Sequence, residues 1–292
     1  MSAQGHHVTE YVPIDPNPRA PRERFPAGSC DCHFHVFEPA SRFPHGPTRS
    51  YTPTDATLAD YRAMTSTLGI DRCVLVHPSV YGGDHRSFEW LLQNNADWMR
   101  GVAVVFPDMQ QEDIARWHAL GARGTRINSL YAGGASLATL PRIVDLVKPF
   151  GWHLQLLIDV SQTPDLVGQA VDLGVTVVVD HFGHLPAERG ARDPGFANLL
   201  ALVREGRAWV KVSGAYRVTG TRGDYADVRP LAEALLAANR DQLVWGSDWP
   251  HPAIAAPMVN DGDLANLLID WFDPSDRQRI LVDNPTRLYW SR

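Results

Sequence analysis

Eight short runs rich in Val, Ile and Leu recur along this chain, each followed by a stretch of helical period, and this uninterrupted alternation restricts the fold more than any other feature. The runs are CDCHFHVF from Cys30, RCVLVHPS from Arg72, RGVAVVF from Arg100, ARGTRINS from Ala122, WHLQLLID from Trp152, TVVVDHF from Thr176, AWVKVSG from Ala208 and LVWGSDWP from Leu243. Helical patterns lie between them around Leu58 to Leu68, Phe88 to Trp98, Glu112 to Leu120, Leu140 to Phe150, Thr163 to Leu173, Pro194 to Arg204 and Tyr225 to Ala238. Leu264 to Trp271 and Ser275 to Val282 close the chain. Thr163-Pro164 and Asp193-Pro194 read as helix starts, a capping side chain followed by a proline whose missing N–H costs nothing there. Strand then helix, eight times over, predicts an α/β fold consisting of a single (β/α)8 TIM barrel over residues 29–292. Residues 1–28 carry Pro13, Pro16, Pro18, Pro21 and Pro26 and predict an extended N-terminal arm, laid over the surface or over a second copy as a candidate homodimer contact.

Charge narrows the partners. The net charge is −6, there is no Lys/Arg run, and the only lysines are Lys148 and Lys211, so the basic footprint of a nucleic-acid binder is missing. An arginine-dominated basic set suits a small anionic ligand instead, because the planar guanidinium matches carboxylate, sulfonate and phosphate. Three cysteines, Cys30, Cys32 and Cys73, give no disulfide framework, and no window approaches the ~18 consecutive apolar residues of a membrane span. The expectation is a cytoplasmic protein without membrane or nucleic-acid partners.

Barrels of this kind place their chemistry where strands end. His33 and His35 are two apart on the first strand, so period two sends both imidazoles to one side and Phe34 to the other. Asp180-His181 ends the sixth strand, and Ser247-Asp248-Trp249-Pro250-His251 ends the eighth. Three imidazoles and a carboxylate therefore converge on one rim. Such a set can hold one divalent ion, or work without metal, with imidazoles polarising a carbonyl while Asp248 takes a proton from water. Trp249 beside Asp248 is expected to keep the carboxylate poorly solvated and raise its pKa. His77, before Pro78, reads as a wall residue, and His153, at a strand start, as structural. The pairs Gly82-Gly83 and Gly133-Gly134 read as turns or flexible lids.

The segments CDCHFHVFEPASRFP, DHFGHLP, LVWGSDWPHP and NPTRLYW resemble the amidohydrolase superfamily, specifically the lactonases similar to 2-pyrone-4,6-dicarboxylate hydrolase, over nearly the whole chain from Pro26 to Ser291. The resemblance implies a (β/α)8 barrel that opens a lactone ring with water, as in the degradation of aromatic compounds. It implies Asp248 as the water-activating carboxylate and His33, His35 and His181 as carbonyl-polarising groups. Tyr51, Ser79, Arg126 and Arg217 match substrate-anion contacts. Ala132, Gly133 and Gly134 stand where the dicarboxylate hydrolase has a second arginine, and Leu157 stands where it has a tyrosine. Two donors for one carboxylate are thereby lost, which favours a muconolactone, a sulfomuconolactone or a monocarboxylated pyrone. Binuclear members use a carboxylated lysine on strand four, and no lysine stands there. The expectation is no obligatory cofactor, with a single zinc or manganese ion on His33, His35, His181 and Asp248 as the alternative. A rival reading is a metal-dependent decarboxylase of an aromatic or unsaturated acid on the same barrel.

Overall fold

The computed structural model describes residues 9–10, 12–221, 223–254 and 257–291. Of the expected arm, residues 1–8 and 11 lie outside the described residues. Each of the eight predicted runs forms a strand: β1 (Cys30–Phe34), β2 (Arg72–Val76), β3 (Met99–Ala103), β4 (Ala122–Asn128), β5 (His153–Leu157), β6 (Val177–Val179), β7 (Ala208–Lys211) and β8 (Leu243–Val244). They pair in sequence order and in parallel. Backbone bonds then join the last strand to the first: Cys32 N to Trp245 O at 2.9 Å, Asp248 N to His33 O at 2.8 Å and His35 N to Trp249 O at 2.8 Å. Closure removes the exposed edges that an open sheet would carry. Gly246 is required at the seam, since a Cβ there would lie 2.6 Å from that of His33.

Helices fill the turns between strands. The first, α1 (Leu58–Leu68), begins with a reciprocal cap between Thr57 and Asp60 and ends at Gly69 in the left-handed region, φ 88°. The next are α2 (Arg86–Asn94), α3 (Gln111–Ala119), α4 (Leu140–Val147), α5 (Leu166–Asp172) and α6 (Pro194–Arg204), with Asp193 capping α6 as expected. Thr163 is not a cap. Its hydroxyl donates to Asp159 O at 3.0 Å, closing a turn, and α5 starts three residues later. A short helix, α7 (Ala215–Val218), follows β7 and was not apparent from periodicity because one turn is too brief to show a period. Completing the set are α8 (Arg229–Asn239), α9 (Asp261–Trp271) and α10 (Pro274–Gln278).

The larger apolar cluster lies between strands and helices, and a second one joins Cys30, Cys32, Val74, Val76, Val102, Val178, Trp209 and Val244 to Leu288 and Tyr289. Side chains from six strands meet only in the lumen, so this second cluster fills the barrel interior, with the chain's last helical turn packed beneath it. Of the described part of the arm, Thr9–Glu10 pair with Tyr51–Thr52, and residues 15–22 lie on the barrel's own α9. Asn260, which caps α9 through Gly262 N, also accepts from Arg19 N at 3.0 Å and donates to Asp15 Oδ2 at 2.7 Å.

Candidate active site

Period-two parity carries one face of each strand into the lumen, except on β1, where a register irregularity between Asp31 and Phe34 lets both Cys32 and His33 face inward, and the upper layer is polar. His33, Arg126, Asn128, Gln155, Asp180 and Lys211 are all buried there. Burying charge without partners would cost several kcal/mol per ion, so each must be matched. Asp180 is the hub: His33 Nδ1 lies 3.2 Å and Lys211 Nζ 3.2 Å from its Oδ1, while Gln155 Nε2 donates to Oδ2 at 2.9 Å and Arg126 Nε lies 3.4 Å from it. Lys211 Nζ also donates to Gln155 Oε1 at 2.7 Å and lies 3.1 Å from His33 Nδ1. Burial pushes Asp180 up, but Lys211, His33 and Arg126 outweigh it and hold the carboxyl well below the usual range. Burial lowers Lys211, and Asp180 opposes that shift.

Above this layer His33 Nε2 faces His35 Nε2 at 3.3 Å, while Phe34 turns outward to stack on Tyr61, so the two imidazoles share a side as the alternation predicts. His35 Nδ1 donates to Val76 O at 2.7 Å, leaving its Nε2 with a lone pair. Asp248 Oδ1 lies 3.8 Å from His33 Nε2 and 3.9 Å from His35 Nε2, and Asp248 Oδ2 lies 3.6 Å from His181 Nε2. His181 is oriented by Ser213, whose Oγ is 3.0 Å from its Nδ1. Desolvation pushes all three imidazoles down, His35 to about 3 and His181 to about 4, so they are neutral at physiological pH. His181 and Asp248 both adopt left-handed backbone angles, φ 47° and 61°, a strain of about 1–3 kcal/mol each that residues at functional sites carry. Asp31 braces the second of these. Its carboxylate takes Ser247 N at 2.9 Å, Ser247 Oγ at 2.5 Å and the Tyr61 hydroxyl at 2.9 Å, and burial pushes its own pKa up to about 6.

The expectation that Trp249 raises the pKa of Asp248 is overturned. The Trp249 ring packs outward near Tyr61, and although burial does push Asp248 up, Arg217, His181 and His33 more than offset it. Arg217 Nε donates to Asp248 Oδ2, and the Tyr216 hydroxyl donates to the same oxygen at 2.7 Å. Asp248 is thus a fully ionised carboxylate under a guanidinium.

A recess of about 20 Å3 is lined by His35, Tyr51, Ser79, Arg126, His181, Arg217 and Asp248, with His33 directly beneath, so all eight residues singled out from the sequence come together. Leu157 lines it at the position the resemblance singled out, and Asn128, Tyr131 and His184 line it too and were missed. Asn128 was accessible, standing two after Arg126 on β4. Its Oδ1 accepts from Leu130 N and Tyr131 N, while its Nδ2 and the Nε of Arg126 have no hydrogen-bond partner among the described residues. Tyr216, Gln155, Asp180 and Lys211 needed the cross-strand register or the short α7. His77 is not in the recess: it stacks on His85 at 4.3 Å, and His85 in turn on Trp117. His153 sits at the other end of the lumen, against Tyr289. Gly133 is no free hinge, since a Cβ on it would fall 2.3 Å from Ser79 O.

The expected four-residue metal set does not gather as one group: His181 falls with His33 and Asp180, a residue outside that set. His33, His35 and Asp248 offer ligand atoms within 4.8 Å of one another, and so do His33, Asp180 and His181. The spacing of 3.3 Å between two imidazole nitrogens is close to the ~3.3 Å edge of a tetrahedron with metal–nitrogen bonds of about 2.0 Å, so neutral imidazoles and an ionised carboxylate fit a divalent cation there.

The amidohydrolase family profile matches residues 30–290. The chain belongs to this amidohydrolase family. Among curated relatives, this amidohydrolase is 35% identical to the 4-sulfomuconolactone hydrolase of Hydrogenophaga intermedia, over 90% of this chain and 89% of that one. It is 34% identical to the 2-pyrone-4,6-dicarboxylate hydrolase of Comamonas testosteroni over 94% of each chain. A Pseudomonas putida structure described as a 2-pyrone-4,6-dicarboxylic acid hydrolase superposes with a TM-score of 0.81 and 33% identity, covering 91% of this chain and 98% of the other. Among the described residues of this amidohydrolase, no helix is long and apolar enough to cross a membrane.

Proposed function

We propose that this amidohydrolase opens the ring of a small anionic lactone, a carboxylated or sulfonated pyrone or muconolactone of the kind formed in aromatic-compound degradation. The observation that carries this reading is the recess itself, where an ionised Asp248 and neutral imidazoles meet the Arg126 guanidinium and the unpartnered Nδ2 of Asn128. The likeness to two kinds of lactone hydrolase over about nine-tenths of the chain supports it.

Arg126 and Asn128 donate to the substrate anion, with Arg217, Tyr51 and Ser79 completing its cradle. Once Arg217 turns from Asp248 to that anion, the freed carboxylate takes a proton from water as the water oxygen attacks the lactone carbonyl. His181, with Ser213 donating to its Nδ1, presents an Nε2 proton to the oxygen that gains charge, and His33 and His35 stand beside it. The tetrahedral intermediate collapses by breaking the bond to the ring oxygen, and Asp248 returns the proton to that oxygen. One water is consumed, and a carboxylic acid and an enol or alcohol are formed. Asp180, Lys211 and Gln155 hold His33 in place from below.

A single divalent ion, zinc or manganese, would be held by His33, His35 and Asp248 and would supply Lewis-acid polarisation of the carbonyl and a more acidic water. Ultraviolet-monitored ring opening of 2-pyrone-4,6-dicarboxylate and a muconolactone panel, with and without a strong chelator, tests the reading. Turnover that Asp248→Asn abolishes is expected. Failure to open any lactone, with carbon dioxide released from an aromatic acid instead, would sink it.

A further inference from the structure

Beside the recess lies a second, much larger chamber of about 560 Å3 that shares Tyr131, His184, Arg217 and Ala253 with it. The inner recess has room for little beyond the reacting atoms, whereas the outer volume falls within the ~300–1,000 Å3 of sites that enclose whole organic ligands. We propose that this outer chamber is a binding subsite for an aromatic or similarly apolar substituent on the lactone, so that the enzyme's preferred substrate carries its anion and its hydrocarbon bulk at opposite ends. This deepens the lactonase reading above and rests on it for the ring chemistry.

The walls state which chemistry fits. Tyr131, Tyr216, Tyr225, Ile254, Met258 and Val259 give the chamber aromatic, aliphatic and thioether surface, and Thr219, Asn260 and Asp263 give it polar groups; the first six are only partly buried. Aromatic rings and a methionine sulfur are favourable neighbours for a flat apolar group.

Charge in the chamber is already spent. Arg19 pairs with Asp263, Asn260 is committed to capping α9 and to the arm, and burial holds His184 neutral. Arg217, at the junction, faces Asp248, so among the described residues of the chamber no unmatched cation remains to welcome a second anion. His184 Nε2, buried at the junction without a partner among the described residues, offers one polar contact to the atom linking ring and substituent. The arm supplies part of this wall through Arg19, which gives residues 12–28 a role in substrate selection rather than in chemistry.

The test uses two 2-pyrone monocarboxylates that differ by a phenyl substituent, measured as kcat/KM on the full chain and as calorimetric affinity on Asp248→Asn. Burial of about 100 Å2 of phenyl surface predicts on the order of 50-fold tighter binding of the phenyl compound. Met258→Trp, or Val259→Trp should the first fail to fold, projects an indole into the chamber and narrows it. It is expected to remove most of that advantage while costing the unsubstituted pyrone far less, since the anion contacts and the reacting groups are untouched. Equal affinity for the two pyrones, or equal damage to both by the tryptophan variants, would overturn the proposal and leave the chamber as an entrance only. If neither pyrone is hydrolysed the lactonase reading fails, yet the calorimetric comparison still decides for or against the apolar subsite.

Discussion

Arg217 lies directly on Asp248, donating from Nε to the same Oδ2 that receives the Tyr216 hydroxyl, while its Nη2 holds Pro252 O at 3.1 Å. The group best placed to bind the substrate anion therefore also covers the carboxylate that must accept a proton. Replacing it with methionine removes both effects. The apparent KM should rise and kcat/KM should fall by about 10- to 100-fold, the scale of one charge-assisted contact. Asp248 loses the largest of the charges that hold it down, so the acid limb of the kcat/KM profile should move to higher pH. An unmoved limb would show that Arg217 does not set the state of Asp248.

Much of this arrangement could be read before any fold was known, because it depends on periods within single strands. His33 and His35 share a face by alternation, as do Arg126 and Asn128, and the barrel itself follows from eight repeats of one alternation. What escaped depends on relations between distant strands. Nothing local tells Lys211 that it meets Asp180 and Gln155, since that contact requires the registers Gln155 to Val178 and Val179 to Val210. The pKa of Asp248 was misjudged for the same reason: Trp249 is adjacent in sequence, but the decisive neighbour is Arg217, on a helix too short to announce itself. The outer chamber needed the arm to fold back on α9, which Pro-rich composition does not specify.

Lys211 is fully buried and paired with Asp180, so its role is testable through stability. Lys211→Met keeps the volume and removes the charge, leaving Asp180 to Arg126, Gln155 and His33. The expected cost is on the order of 3 kcal/mol, or roughly 5–10 °C in Tm, measured by thermal unfolding at pH 7. A variant as stable as the parent would mean that the lysine is not matched to Asp180 in solution.

Stability should also fall in mild acid. His35 and His181 are held at about 3 and 4 in the folded chain against about 6.5 when unfolded. Between those values the unfolded chain binds protons that the folded one refuses, so their contribution is complete above pH 6.5 and is lost as pH falls toward 4. His33 and His184 shift the same way. Asp31, raised to about 6, acts oppositely, stabilising below pH 3.8 and losing that contribution as pH rises through 6, but it is one group against four. Melting curves from pH 8 to pH 5 should show Tm dropping throughout the lower half of the range. A level Tm would mean that these imidazoles take up protons in the folded chain as readily as in the unfolded one.

Asn128 separates anion recognition from folding. Its Oδ1 organises the loop after β4 by accepting from Leu130 N at 2.9 Å and Tyr131 N at 3.0 Å, and its Nδ2 faces the recess unpaired. Asn128→Asp preserves the acceptor that holds the loop and exchanges the donor for a second acceptor, negatively charged when ionised. Folding should survive, while an anionic lactone should meet a repelling oxygen where it expects a hydrogen, raising KM by about 10-fold or more at nearly unchanged Tm. Because Arg126 stands two residues away, the carboxylate would also draw that guanidinium from the substrate, so the loss should exceed that of Asn128→Ala on the same lactone. Steady-state kinetics on both variants decide the matter: a smaller effect for aspartate than for alanine would place the substrate anion away from β4 and against Arg217 alone.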